Sequence, residues 1–178
     1  LPDPASVDVM ALAALLLRGN PAPYAGCVRL PNDGIAIASA SPELYLRRRA
    51  ATLDSGPIKG TGVTPADLSA KDEAENVMIV DLVRNDLSRV SRIGSVEVPS
   101  LLRVEEHPAL THLVSTVTGQ IEPGLGWSEI LAATFPPGSV SGAPKSSALT
   151  AIRTVEPVLR GPYCGAIGWV DADSATAE

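Results

Sequence analysis

The chain has 178 residues, 45% of them apolar and 19% charged, with a net charge of -6, 15 glycines and 16 prolines. That length suits one globular unit with a sizeable core. Gly plus Pro stay below the roughly 25% of low-complexity chains, which excludes disorder, collagen and coiled coil, and an acidic chain without a block of like charge lacks the basic face that nucleic acid requires.

In chain order, Ser6 and Asp8 precede the apolar run Val9 to Leu17, and Gly19 follows it, which predicts a helix. The run is too short to span a bilayer and has neither a basic region before it nor a cleavage site after it, so it reads as a core helix. Cys27-Val28-Arg29-Leu30 and Ile35-Ala36-Ile37-Ala38 flank Pro31-Asn32-Asp33-Gly34 and predict a hairpin, with Leu44-Tyr45-Leu46 as a third strand. Arg47-Arg48-Arg49 alternates faces on that strand and reads as a solvated edge. Cys27 and Cys164 stand far apart with no second ligand pair near either, so neither a disulfide framework nor a zinc site is implied, and a reducing cytoplasm fits.

From Ser69 to Arg89 the pattern is helical, opened by the capping box Ser69/Asp72 and apolar on most sides from Val77 to Leu87, hence a buried helix. Asp72, Glu75 and Asn76 share one face near its start; Asp81, Arg84 and Asn85 share the opposite face, so two polar stripes need two partners. His112 to Ile121 is a strand rich in β-branched residues, and Trp127 to Thr134 is a short helix. The breaker-rich segment Phe135 to Pro144 opens a helix from about Lys145 to Val155, and Ala166 to Val170 is a strand. A turn at Asp173-Ser174 would send a return strand beyond Glu178, so the chain reads as a fragment. Hairpins mixed with isolated helices favour an α+β fold with antiparallel sheet.

Several residues carry chemistry on either of two readings. Lys59 projects from the uncharged Gly/Pro turn Gly56 to Thr61, either as a surface lysine or as an amine nucleophile held unprotonated by its surroundings. It is one of three lysines against eleven arginines, so each lysine is slightly informative. Asp72 and Glu75 are either helix-start acids or a seat for a hard divalent cation such as Mg2+. The loop Gly138 to Pro144 either caps a helix or grips a carboxylate or phosphate, though Ala143-Pro144 breaks the nucleotide P-loop pattern. His112 is a core or a catalytic histidine, and Glu43 a solvated acid or a general acid.

Taken in order, seven segments resemble the chorismate-utilising enzymes, the family of aminodeoxychorismate, anthranilate, isochorismate and salicylate synthases. They are Ser41-Pro42-Glu43, Pro57-Ile58-Lys59-Gly60-Thr61, Lys71 to Asn76, Asp81 to Asp86, His112 to Ser115, Phe135 to Lys145, and Gly161 to Gly165. The resemblance implies part of a two-layer antiparallel β-sandwich flanked by helices, with residues 1–178 as one partial domain truncated at both ends. Lysine at position 59 resembles the aminodeoxychorismate branch, where anthranilate synthases usually carry alanine. In that branch chorismate and ammonia give 4-amino-4-deoxychorismate for p-aminobenzoate and folate synthesis.

By the same resemblance, the Lys59 amine attacks C2 of Mg2+-bound chorismate, Glu43 protonates the departing C4 hydroxyl, and ammonia then displaces the lysine. His112 lies near the ring as a third catalytic residue, and Glu75 ligands Mg2+ with Asp72 nearby. Gly60 and Thr61 line the metal and substrate pocket, Ser141, Gly142 and Tyr163 hold substrate carboxylates, and Lys145 joins the substrate-binding set. A glutamine amidotransferase partner supplies the ammonia. The alternatives are an anthranilate or isochorismate synthase and a non-catalytic binding module of the same fold. Three features depart from the family pattern: Gly56 stands where an arginine is common, the spacer from Lys59 to Lys71 is short, and the later I-R-T segment and second acidic motif fall outside the chain.

Overall fold

The computed structural model describes residues 7–107, 109–171 and 176–178. Contacts divide the chain into two compact units, Leu1–Leu44 and Tyr45–Glu178.

In the first unit, α1 (Val9–Gly19) starts where Asp8 accepts a hydrogen bond from the Met10 amide, and the hairpin β1 (Tyr24–Leu30) and β2 (Ile35–Ser41) closes through Gly34 at φ 66°. Leu30 pairs with Ile35 and Tyr24 with Ser41, the hairpin expected from the sequence. The expected core helix is not one. Of α1 only Val9 is buried, while Met10, Leu12, Leu15 and Leu17 are exposed, because a two-stranded hairpin covers one side of a helix that is apolar all round.

The second unit is a mostly antiparallel sheet with helices packed against it. Its strands are β3 (Leu44–Arg49), β4 (Thr52–Gly56), β5 (Ile58–Gly62), β6 (Glu97–His107), β7 (Leu110–Gln120), β8 (Val170–Asp171) and β9 (Thr176–Ala177). They run in the order β5-β7-β4-β3-β9-β8, with β6 on β7 as well. Thus Leu44-Tyr45-Leu46 opens a strand of this sheet and not a third strand of the first hairpin. The arginine run is not a solvated edge either: β3 lies between β4 and β9, and Arg47 is half-buried between Asp54 at 3.1 Å and Glu178 at 3.3 Å. At the end of the chain, β8 returns into β9 at Thr176, inside the chain, and the turn expected at Asp173-Ser174 lies outside the described residues.

β4 and β5 are two halves of one path along β7. Thr52–Ser55 pair with Val117–Gln120, and Ile58–Gly62 with Thr111–Val114. Between them Pro57, which has no N–H to donate, still accepts from the Ser115 amide at 3.1 Å. The Gly56-Pro57 pair therefore interrupts the ladder without turning the chain. β6 escapes sequence reading because it holds Pro99, three acids and two register shifts, the features of an edge strand in place of clean alternation.

Helix α2 (Ala70–Ser88) matches the expected span, with the Ser69/Asp72 capping box formed. Val80 and Leu87 pack with Leu46, Leu53, Val117, Ile121 and Ile130 in the core, the last from α3 (Trp127–Thr134). Val77 and Met78 face outward, so α2 is buried on one side and not all round. Two helices complete the unit, α4 (Gly138–Ser141) and α5 (Lys145–Val155).

Candidate active site

Lys59 sits within β5, not in a turn. β3 and β4, neighbours in the sheet, form the hairpin that separates Glu43 from Lys59 in the chain. Glu43 belongs to the first unit, where Ser41 Oγ donates to its carbonyl and accepts from its amide, both at 3.2 Å.

Two residues beyond Lys59, Thr61 pairs across the ladder with His112, and Thr61 Oγ1 lies 3.0 Å from His112 Nδ1. His112 is only 6% exposed, and its ring meets that of His107 edge to face at 5.4 Å. Burial first, and then the His107 charge, hold the imidazole below its ordinary value, with Glu105 pulling the other way. The neutral ring is therefore favoured in the fold, and the unfolded chain takes up the proton more readily. Stability contributed here is present above the unfolded value near 6.5 and is lost as pH falls through the folded one. Denaturant midpoints should drop for the wild type as pH is lowered below about 6.5, and His112→Gln should flatten that limb; parallel curves would deny the coupling.

The head of α2 presses on this strand. Gly60 has φ 91°, and a Cβ there would meet Asp72 Cβ at 2.8 Å and Leu113 Cβ at 3.2 Å. Asp72 Oδ2 accepts from the Ser69 amide at 2.9 Å and from Ser69 Oγ at 2.5 Å, and these bonds hold its carboxyl below the usual range. The carboxylate is thus engaged in starting the helix. Glu75 is half-buried and 3.6 Å from Lys71, a pairing worth little at a solvated helix face. Among the described residues no three His, Cys, Asp or Glu side chains form a metal-holding group. The donor set on offer is one available carboxylate, Glu75, with Asp72 a turn earlier. That chemistry fits Mg2+, which takes one or two carboxylates and fills its other positions with water and substrate oxygen.

Behind these residues lies a contact that sequence reasoning missed. Asn76 is fully buried, and its Nδ2 donates to the carbonyls of Leu113 at 2.8 Å and Lys59 at 3.4 Å. Its Oδ1 accepts from Ser115 Oγ at 2.5 Å, and Ser115 Oγ in turn accepts from the Leu102 amide at 3.0 Å. The available signal was the polar stripe of Asp72, Glu75 and Asn76 near the start of the helix, which called for a polar partner.

The remaining site residues lie on α4, α5 and the segments that follow them. Lys145 opens α5, and its amine is spent on Asp86 at 2.8 Å, the Thr134 carbonyl at 3.2 Å and the Ala133 carbonyl at 3.4 Å. Asp86 stands about 21 Å along α2 from Asp72 at ~1.5 Å per residue, so Lys145 is held apart from β5. Ser141 Oγ donates to the Pro137 carbonyl at 3.1 Å, and Gly142 takes φ 93° just after α4. Tyr163 is 71% exposed, its ring under the Arg160 guanidinium at 5.7 Å. The structure therefore gathers Lys59, Gly60, Thr61, Asp72 and His112 around the β5–β7 ladder and the head of α2, with Glu75 on that helix.

This arrangement has known counterparts. A family profile described as chorismate binding enzyme matches residues 1–177. The chain belongs to the chorismate-binding enzymes. It is 44% identical over 167 residues to aminodeoxychorismate synthase component 1 of Klebsiella aerogenes, covering 87% of this chain and 37% of that protein. An anthranilate synthase component 1 of Haloarcula marismortui is 42% identical over 177 residues, covering 93% and 36%. The crystal structure of anthranilate synthase component I from Streptococcus pneumoniae superposes with a TM-score of 0.85 at 32% identity, over 97% of this chain and 40% of that one. The chain thus spans less than half the length of these chorismate-binding relatives, and the likeness bears out the α+β, antiparallel fold expected from the sequence. Among the described residues no helix is long and apolar enough to cross a membrane.

Proposed function

We propose that this chain carries the lysine-bearing part of an aminodeoxychorismate synthase component 1, which aminates chorismate to 4-amino-4-deoxychorismate. The observation that carries the reading is Lys59 itself, held on β5 next to the Thr61–His112 pair in a chain 44% identical to relatives of that name. The amine adds at C2 of the ring, both ring double bonds shift in turn, and the C4–O bond breaks. Glu43 donates the proton with which the hydroxyl departs as water. Ammonia then bonds at C4, the C2–N bond to Lys59 breaks, and the amine is restored. Thr61 fixes the orientation of His112 through Nδ1, which leaves the Nε2 edge for the ring. Gly60 and Thr61 line the pocket wall, and Ser141, Gly142 and Tyr163 hold substrate carboxylates. The relatives are named as a component 1, which supports a glutamine amidotransferase partner as the ammonia source.

Mg2+, when bound, would neutralise a substrate carboxylate, and Glu75 is the residue that would hold it, with Asp72 fixing the helix turn behind. Glu75→Gln in the whole protein should then require at least about tenfold more Mg2+ for half-maximal turnover. An unchanged Mg2+ dependence would return Glu75 to the helix surface.

Anthranilate synthesis is the second reading, favoured by the 42% identity to the Haloarcula protein and the superposition on the Streptococcus structure. The whole protein supplied with chorismate, ammonia and Mg2+ decides between them. A non-aromatic aminated product supports the proposal, and an aromatic amine formed directly overturns it.

A further inference from the structure

We propose that Asn76 is a positioning residue for the reaction, setting the strand of Lys59 and the strand of His112 against the head of α2. Its side chain is the point at which hydrogen bonds join these three pieces. The single amide nitrogen donates to the Lys59 carbonyl on β5 and to the Leu113 carbonyl, next to His112, on β7. The amide oxygen is held by Ser115, which also fixes the Leu102 amide on β6, where the backbone takes φ 55° and the β6–β7 register shifts nearby.

Apolar packing cannot set this spacing. β5 is short, its register with β7 slips between Ile58 and Thr61, and β7 is its only strand neighbour among the described strands. Gly60 at φ 91° sets how closely α2 can approach, but a glycine contact has no direction along the strand. The Asn76 hydrogen bonds supply that direction, because each fixes a particular carbonyl at a particular turn of the helix. Full burial makes the arrangement exacting: a carbonyl that loses its partner here finds no water in its place.

The inference rests on the proposed role of Lys59 in chorismate amination, so its test pairs turnover with a readout that needs no substrate. Asn76→Asp keeps the shape but offers at most one proton where the amide offers two. Ser115→Ala leaves Asn76 in place without its support. In the whole protein either change should lower kcat by about 100-fold, the effect of a misplaced group, with KM for chorismate within about threefold. With only three lysines in the chain, limited amine labelling followed by peptide mass gives the Lys59:Lys71 ratio directly, Lys71 being 84% exposed and serving as the internal standard. That ratio should change more than about threefold in both variants.

Ile130→Val, a core change remote from the site, is the control matched for loss of Tm. If the variants lose Tm but keep the control's kcat and labelling ratio, Asn76 only stabilises the fold and the proposal is wrong. If Asn76→Asp does not fold, Ser115→Ala carries both readouts. If wild-type protein does not aminate chorismate, the functional reading fails by itself, and the labelling ratio still decides whether Asn76 positions Lys59.

Discussion

Lys59→Arg in the whole protein should abolish formation of the aminated product. Wild-type protein held with chorismate and Mg2+ but no ammonia should gain the mass of chorismate minus water on the peptide containing Lys59. Both results follow from the difference between a charge and a nucleophile. An amine can lose its proton and donate an electron pair to carbon, whereas a guanidinium stays protonated at any working pH. Were Lys59 there only to steady a carboxylate, arginine would serve, with its five donors in a fork that suits that group. With a covalent role the loss should reach at least about 1,000-fold, since no other group takes over the bond-forming step. Substantial amination by Lys59→Arg, or no adduct without ammonia, would demote Lys59 to an electrostatic part.

The second large effect concerns backbone. Gly60→Ala should destabilise the Tyr45–Glu178 unit by roughly 2–5 kcal/mol, from the strain of a left-handed backbone together with overpacking. The new methyl would stand 2.8 Å from Asp72 Cβ and 3.2 Å from Leu113 Cβ, with a helix on one side and a paired strand on the other. Neither can yield without breaking the Ser69/Asp72 cap or the Asn76 bonds. Gly94→Ala is the informative comparison, because Gly94 also has positive φ, 78°, but nothing within 4 Å of a Cβ. It should cost only the backbone part, about 1–2 kcal/mol. Equal denaturant midpoints for the two variants would show that the approach of α2 to β5 does not constrain residue 60.

Local rules accounted for the elements whose signals lie within a few residues. The Ser69/Asp72 box placed the start of α2, Gly34 closed the β1–β2 hairpin, and Trp127–Thr134 and Lys145–Val155 ran as their composition suggests. Each is settled by a cap, a turn or a period, which the chain expresses before any long-range contact forms. The order of motifs likewise pointed to the chorismate-binding family, a membership that the match over residues 1–177 establishes.

Tertiary structure decided the rest. Gly56-Pro57 has the local signature of a turn, yet β7 supplies partners on both sides of it, so the segment extends and Lys59 lies in a strand. The acids at the head of α2 look equivalent in sequence, but Ser69 engages Asp72 and leaves Glu75 available. Lys145 has the same side chain as Lys59, and only the return of α5 onto α2 gives it to Asp86. Asn76 was one member of a polar stripe without a named partner until β5 and β7 brought two carbonyls and a serine to it from 17, 37 and 39 residues away. A hydrogen bond joins groups that are close in space, and when its two ends lie that far apart in the chain, no local pattern of residues records it.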